Sequence, residues 1–180
     1  MKIACCGTHG AGKSTLSYQL ADYYKRKKKS VYVVQEKVRE SPFPINVNMS
    51  EETALWTFTS QIAHELEVEQ QGYDTLICDR SCFDTFIYTD FFRLKNRPIN
   101  HFRIASEEWL ETYDFFFFVR PNMELLEDKI RDNTDKFFQI SVDRLFEDFF
   151  SHIDNDFFQE VFTSQILKEE LDFDDILKNL

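Results

Sequence analysis

The sequence predicts an α/β fold in which a five-stranded parallel sheet lies between two layers of helices. Short apolar segments alternate with longer segments of helical periodicity, the pattern of a parallel sheet with helical crossovers. One apolar segment, residues 114–119, contains four consecutive phenylalanines, as expected of a central strand buried on both faces. No repeat or low-complexity linker divides the 180 residues, so we expect a single domain over residues 1–180.

Three strands and two helices are expected in the first half of the chain. Leu16, Leu20 and either Tyr23 or Tyr24 recur at helical spacing after the first apolar segment. The longest helix begins at Ser50, a residue type that caps helix N-termini, and it is stopped by Gly72. The predicted elements are a strand at 3–6, a helix to about residue 27, a strand at 31–35, a helix at 50–71 and a strand at 73–78.

The second half of the chain continues the alternation. Pro98 and Pro121 mark two of the breaks between its helices and strands. The predicted elements are helices at 82–95 and 106–112, a strand at 114–119, helices at 123–131 and 142–153, a short strand at 161–163 and a closing helix from residue 172. In such sheets ligands bind beyond the carboxyl ends of the strands, so the residues that follow each strand are the ones to examine.

Composition excludes several classes of protein. The formal net charge of −11 opposes general affinity for nucleic acid, which depends on neutralising phosphates. The basic run at 25–29 ends a predicted helix, where cations stabilise the helix dipole. The four cysteines form no C-x-x-C pair, and the longest apolar run is too short to span a membrane. We expect a cytoplasmic protein that has no membrane or nucleic-acid partner. A homodimer stays open as its oligomeric state.

A glycine-rich motif lies between the first strand and the first helix. Three of the four glycines fall within residues 7–12, and residues 7–14 fit G-x-x-x-x-G-K-[ST] without mismatch. Backbone N–H groups of such a loop, together with the helix N-terminus, form a phosphate site. Lys13 is expected to reach the β- and γ-phosphates of ATP, and Ser14 to ligate Mg²⁺. The predicted nucleotide-binding residues are Gly7, His9, Gly10, Ala11, Gly12, Lys13, Ser14 and Thr15. The fold class is therefore a three-layer α/β/α P-loop NTPase fold.

Charged residues follow the second and third predicted strands. Glu36 comes after the second strand, and Asp79 and Arg80 come after the third. Asp79 occupies the place of the magnesium-organising acid of P-loop proteins, and Arg80 offers a fork of donors for phosphoryl oxygens. Glu36 could accept a proton from a substrate hydroxyl. Asp84 and Tyr88, on the following helix, are further candidates for contacts with substrate.

Other motifs narrow the reaction. Arginine stands after Asp79, where an ATPase motor usually has a glutamate that activates water. The Asp-x-x-Gly and Asn-Lys-x-Asp motifs of regulatory GTPases do not occur. The pattern therefore favours phosphoryl transfer to an organic acceptor, with Glu36, Lys13 and Arg80 as catalytic residues and Ser14 and Asp79 as metal ligands.

The motifs together resemble those of the deoxynucleoside kinases. Trp56, Phe58 and Gln61 match the helix pattern Trp-x-Phe-x-x-Gln of that family, and residues 79–81 match its acid-Arg-Ser motif. The resemblance implies that Glu36 is the base for the 5′-hydroxyl, that Gln61 reads the nucleobase edge, and that Trp56 and Phe58 line the sugar and base pocket.

The chain also departs from the deoxynucleoside kinase pattern. Lys37 stands where that family usually has proline, and Val68 where base-selective members have arginine. Glu36 and Arg39 form a Glu-x-x-Arg that resembles ribosylnicotinamide kinase-like ATPases, which makes Arg39 a candidate substrate-binding residue. Thymidylate kinases share an Asp-Arg after the third strand. The candidates for lid cations are Arg131, Lys136 and Arg144.

Several alternatives therefore stay open for the function. The acceptor could be a nucleoside monophosphate or nicotinamide riboside instead of a nucleoside. The protein could also be a nucleotide-binding regulator with little catalysis, while the acidic charge disfavours a kinase of nucleic-acid ends.

Overall fold

Five strands form one parallel sheet in the computed structural model, which describes residues 1–94, 101–122, 133–152 and 158–178. Numbered along the chain, the strands lie in the order second, third, first, fourth and fifth, and every neighbouring pair is parallel. The predicted α/β fold with a five-stranded parallel sheet is therefore confirmed. The strands are β1 (Lys2–Cys6), β2 (Val31–Val34), β3 (Thr75–Asp79), β4 (Phe115–Arg120) and β5 (Phe158–Phe162).

Helices and short turns connect these strands and cover the sheet. The helix α2 (Glu51–Glu69) begins as predicted, because Ser50 caps it: the Ser50 side chain accepts a hydrogen bond from the Thr53 N–H. Two 3₁₀ turns, Lys37–Glu40 and Asn46–Asn48, lie between β2 and α2. The helices are α1 (Lys13–Arg26), α2 (Glu51–Glu69), α3 (Cys82–Phe91), α4 (Phe102–Leu110), α5 (Asn133–Phe150), α6 (Thr163–Leu167) and α7 (Phe173–Ile176).

The sheet divides the core into two apolar layers. Successive strand residues point to opposite faces, so Phe117 packs in one layer and Phe116 and Phe118 in the other. The first layer lies against α1, α6 and α7, and the second lies against α3 and α5. Four consecutive phenylalanines therefore serve both faces of β4, which explains why this strand is apolar throughout.

Several element boundaries differ from the predictions. The strand β5 begins at Phe158, earlier than the predicted 161–163, because an edge strand with one buried residue carries little apolar signal. The helix α5 begins at Asn133 instead of residue 142 and ends at Phe150, and α4 spans 102–110 instead of 106–112. The short helix α6 was not predicted. The helix predicted at 123–131 lies outside the described residues, and none of the described helices is long and apolar enough to cross a bilayer.

Candidate active site

The glycine-rich loop leaves the carboxyl end of β1 and enters α1. Gly7 has φ 141°, and a Cβ atom at this position would lie 2.3 Å from the Val119 carbonyl oxygen. Only glycine fits so close to the neighbouring strand in that conformation. Gly12 is the N-cap of α1 with φ 99°. Steric and conformational demands thus explain why the chain concentrates its few glycines here.

Lys13 is folded back over the loop. Its side chain is 5% exposed, and Nζ donates to the carbonyl oxygens of Gly7 at 2.9 Å and Thr8 at 2.6 Å. Burial, reinforced by the positive charge of Arg80, lowers the pKa of Lys13 to about 8. A phosphate group bound to Lys13 would add negative charge that stabilises the buried ammonium.

Ser14 and Asp79 form a pair of oxygen ligands at the start of α1. Ser14 Oγ donates to Asp79 Oδ2 at 2.5 Å, and the parallel register of Cys5 with Asp79 places the end of β3 beside the loop. Asp79 is 4% exposed, and its Oδ1 has no hydrogen-bond partner among the described residues. A hydroxyl and a carboxylate with an unpaired buried oxygen are a set of hard donors that fits Mg²⁺.

Glu36 and Arg80 form an ion pair across the ends of β2 and β3. Arg80 Nε lies 2.6 Å from Glu36 Oε1, and Arg39 Nε donates to Glu36 Oε2 at 3.1 Å. Burial acts to raise the pKa of Glu36, but the charges of Arg80, Lys13 and Arg39 outweigh it and hold the pKa below its usual value. The base that the sequence predicted is therefore ionised at neutral pH.

Arg80 has an unusual backbone conformation. Its φ of 89° is a left-handed value that a non-glycine residue adopts only under local constraint, and its N–H donates to the Cys5 carbonyl. This turn directs the side chain back toward Glu36 and over the Tyr88 ring, whose centroid is 5.6 Å from the guanidinium carbon.

Asp84 and Tyr88, one turn apart on α3, contact the glycine-rich loop. Asp84 Oδ1 accepts the Gly7 N–H at 3.2 Å, and the Tyr88 hydroxyl accepts the His9 N–H at 2.9 Å. Burial raises the pKa of Asp84, against the lowering effect of Arg80 and other donors. Asp84 and Tyr88 are four residues apart, which places both side chains on one face of α3.

A cavity of about 350 Å³ opens beside these groups. The helix α2 borders it through Thr57 and Gln61, which are one turn apart on the same face. The residues that line it are His9, Glu36, Lys37, Val38, Asn46, Val47, Met49, Thr57, Gln61, Arg80, Ser81, Asp84, Thr85, Tyr88, Phe92 and Phe138.

Three predicted substrate-binding residues do not line this cavity. Phe58 packs in an apolar cluster, stacked on Phe102 with ring centroids 4.1 Å apart. Trp56 and Phe58 flank Thr57 on a helix that turns about 100° per residue, so they point to either side of the cavity. Arg39 is exposed and reaches the site only through Glu36. Of these neighbouring positions on α2, only Thr57 lines the cavity, and the role of Trp56 and Phe58 in a sugar and base pocket stays a prediction.

The roles of the basic residues at and after the end of β4 were harder to predict from the sequence. Arg120 ends that strand and forms ion pairs with Asp143, Glu147 and Glu160, a grouping that the sequence analysis missed. Of the lid candidates, Lys136 is half-buried and Arg144 is exposed, while position 131 lies outside the described residues.

The fold and the loop together define a P-loop nucleotide-binding protein: a glycine-rich loop follows the central strand of a parallel sheet, and an acid ends the adjacent strand. The chain belongs to the family described as AAA domain, which matches residues 2–160. No curated protein sequence matches the chain significantly.

Solved structures confirm the fold. A deoxyadenosine kinase from M. mycoides is similar over 100% of both chains, with 17% identity and a TM-score of 0.64. A thymidylate kinase from Ehrlichia chaffeensis is similar over 94% of this chain and 96% of its own, with 18% identity and a TM-score of 0.66. A thymidylate kinase from Candida albicans covers 99% of this chain and 92% of its own, with 17% identity and a TM-score of 0.64.

Proposed function

We propose that this protein transfers the terminal phosphoryl group of ATP to a hydroxyl group of a nucleoside. The observation that carries the proposal is the convergence of an ionised carboxylate, Glu36, and a guanidinium, Arg80, on the cavity beside the glycine-rich loop. A base and a phosphoryl-binding cation at one edge of the sheet are the groups that such a transfer needs.

Each group has a role that follows from its surroundings. Glu36 is held ionised, so it can accept the proton of the attacking hydroxyl as the new P–O bond forms. Arg80 is fixed by Glu36 and can bind oxygens of the transferring phosphoryl group. Lys13 is the buried cation of the loop, and it would exchange its two carbonyl partners for phosphate oxygens. The chemistry is mainly positioning and charge stabilisation.

Ser14 and Asp79 are the residues that would hold Mg²⁺. When bound, the ion neutralises charge on the phosphates of the nucleotide. The short Ser14–Asp79 hydrogen bond and the unpaired Asp79 Oδ1 support this assignment, because the hydroxyl and the carboxylate are already in contact and one carboxylate oxygen has no partner among the described residues.

The charges around the cavity favour a hydroxyl acceptor over a phosphate acceptor. Among the described lining residues, Glu36 and Asp84 oppose Arg80 and Lys37, and Lys37 is itself paired with Glu40. A site for a nucleoside monophosphate needs an excess of cations, since the acceptor phosphate carries about two negative charges. The similar deoxyadenosine kinase structures contain dCMP and dCDP in one case and dATP in another, which supports a nucleoside or nucleotide ligand.

A screen of acceptors with ATP tests the proposal. Purified protein, ATP and Mg²⁺ are incubated with each common nucleoside, nucleoside monophosphate or nicotinamide riboside, and the phosphorylated products are separated by chromatography. We expect a nucleoside to be the best acceptor. Preferred use of a monophosphate would assign the nucleotide kinase alternative, and ATP binding without any phosphorylated acceptor would refute the kinase in favour of a regulator.

A further inference from the structure

Glu65 is a carboxylate at the centre of a buried network of hydrogen-bond donors. Its side chain is 0% exposed, and Oε2 lies 2.9 Å from both Lys2 Nζ and Trp109 Nε1. The Tyr113 hydroxyl reaches both carboxylate oxygens, at 2.8 and 2.7 Å, and Gln61 Nε2 lies 2.8 Å from Oε1. Because these groups all donate, the carboxylate acts only as an acceptor.

The network dictates which way the Gln61 amide points. Its NH₂ group donates to Glu65 at 2.8 Å and lies 3.4 Å from the Arg80 carbonyl oxygen. The reverse orientation would place the amide oxygen against the carboxylate, where two acceptors repel and no proton joins them. Gln61 Oε1 is therefore directed away from Glu65, and no described residue donates a hydrogen bond to it.

The unpaired oxygen belongs to a side chain that is 2% exposed and lines the cavity. Thr57, one turn earlier on the same face, also has a buried hydroxyl without a hydrogen-bond partner among the described residues. The buried Thr57 hydroxyl is costly without a partner, and Gln61 Oε1 adds an acceptor that no described residue occupies, so this face of α2 suits a polar ligand.

We propose that Glu65 is a positioning residue that makes Gln61 a pure hydrogen-bond acceptor, and that the site thereby selects an acceptor nucleoside whose base carries an exocyclic amine. This inference rests on the proposed function. The amine of an adenine or cytosine base can donate to Gln61 Oε1. A thymine base presents one N–H between two carbonyl oxygens. These carbonyl oxygens would lie beside the Gln61 oxygen, which repels them, because the Gln61 NH₂ group is bonded to Glu65 and cannot donate to them.

The first test needs no substrate. In ¹⁵N-labelled protein, we expect the Gln61 side-chain NH₂ protons to exchange slowly with water and to lose that protection in Glu65→Gln, because the new amide no longer fixes the orientation. Tyr113→Phe is the matched control, since it removes one donor to Glu65 and leaves the bond to Gln61 intact. Protection that is absent in the wild type, or unchanged in Glu65→Gln, would overturn the positioning role.

The second test measures kcat/KM for deoxyadenosine and two analogues. Purine 2′-deoxyriboside lacks the exocyclic amine, and 1-deaza-2′-deoxyadenosine lacks the neighbouring ring nitrogen. We expect the first change to lower kcat/KM roughly tenfold or more, because a buried acceptor loses its donor, and the second to change it less than about threefold. In Glu65→Gln, we expect kcat/KM for purine 2′-deoxyriboside to be less than about threefold below that for deoxyadenosine, since the released Gln61 amide can turn its NH₂ group to the ring nitrogen. Tyr113→Phe should keep the wild-type ratios.

The outcomes separate the two proposals. Preferred phosphorylation of thymidine over the nucleosides whose bases carry an exocyclic amine would overturn the selectivity while leaving the kinase intact. If the ratio of kcat/KM between deoxyadenosine and each analogue is the same in the wild type and in Glu65→Gln, the positioning role of Glu65 is overturned. If no nucleoside or nucleotide is phosphorylated, the proposed function fails and the selectivity with it. Where Glu65→Gln does not fold, Lys2→Met combined with Glu65→Leu removes both buried charges, and the same ratios are measured on that variant.

Discussion

Replacing Glu36 by glutamine is the sharpest test of the proposed chemistry. The change keeps the shape of the side chain and removes its ability to take a proton. It also leaves Arg80 without its close counter-ion, since the Asp84 carboxylate lies 3.8 Å away. A positioned general base contributes about 10²- to 10⁴-fold, so we expect kcat to fall by that factor, or roughly 3 to 5 kcal/mol of barrier.

The KM for ATP should change less than about threefold in Glu36→Gln, because neither Lys13 nor the glycine-rich loop has a hydrogen bond to Glu36. Glu40→Gln is the matched control. Glu40 lies on the 3₁₀ turn after Glu36, is exposed, and pairs with Lys37 instead of Arg80. We expect it to keep the wild-type rate. The measurement is steady-state kinetics with the best acceptor of the screen. A Glu36→Gln variant that turns over at the wild-type rate would refute the role of Glu36 as base.

Three further predictions follow from the loop. With a folded pKa of about 8 and an ordinary value of 10.5, Lys13 binds fewer protons in the folded state across that interval, so it makes stability rise with pH there. Lys13→Met should therefore flatten the rise in melting temperature between pH 8 and 10.5 and abolish turnover; an unchanged slope would contradict the buried charge. Asp79→Asn should raise the Mg²⁺ concentration for half-maximal activity at least tenfold, as a titration would show, and an unchanged requirement would remove Asp79 from the metal site. Gly7→Ala should destabilise the protein by about 2–5 kcal/mol in urea unfolding, because the new Cβ meets the Val119 carbonyl, whereas Gly72→Ala, with φ 73° and open space, should cost only about 1 kcal/mol; equal losses would refute the steric argument.

The fold was predictable because buried parallel strands carry a strong local signal. The strand β4 is apolar at five of its six positions, and β1 is buried throughout. The strand β5 lies at the sheet edge, where a single buried residue, Val161, leaves little pattern to detect. Helix α5 was placed nine residues late because the periodic apolar signal becomes clear only from Val142 onward.

The site was predictable where one rule of topology sufficed. Because the carboxyl ends of parallel strands meet at one edge, Glu36 and Arg80 could be brought together from sequence. The face of α2 could not be assigned in the same way. That helix borders both a cavity and an apolar cluster, and a step of one residue separates Thr57 from Phe58. The Glu65 network joins residues that are far apart in the sequence, which no local pattern reveals.

The glycine-rich loop is stabilised by contacts within the chain before any nucleotide arrives. Lys13 is bonded to two loop carbonyls, and the Gly7 and His9 N–H groups donate to Asp84 and Tyr88. An incoming triphosphate therefore trades existing bonds for new ones, and only the difference between the two sets contributes to affinity. In the proposed reaction, such an exchange would preserve the conformation of the loop between turnovers and lower its affinity for the ADP product. The contacts of the unliganded loop would then affect the rate of product release as well as nucleotide binding.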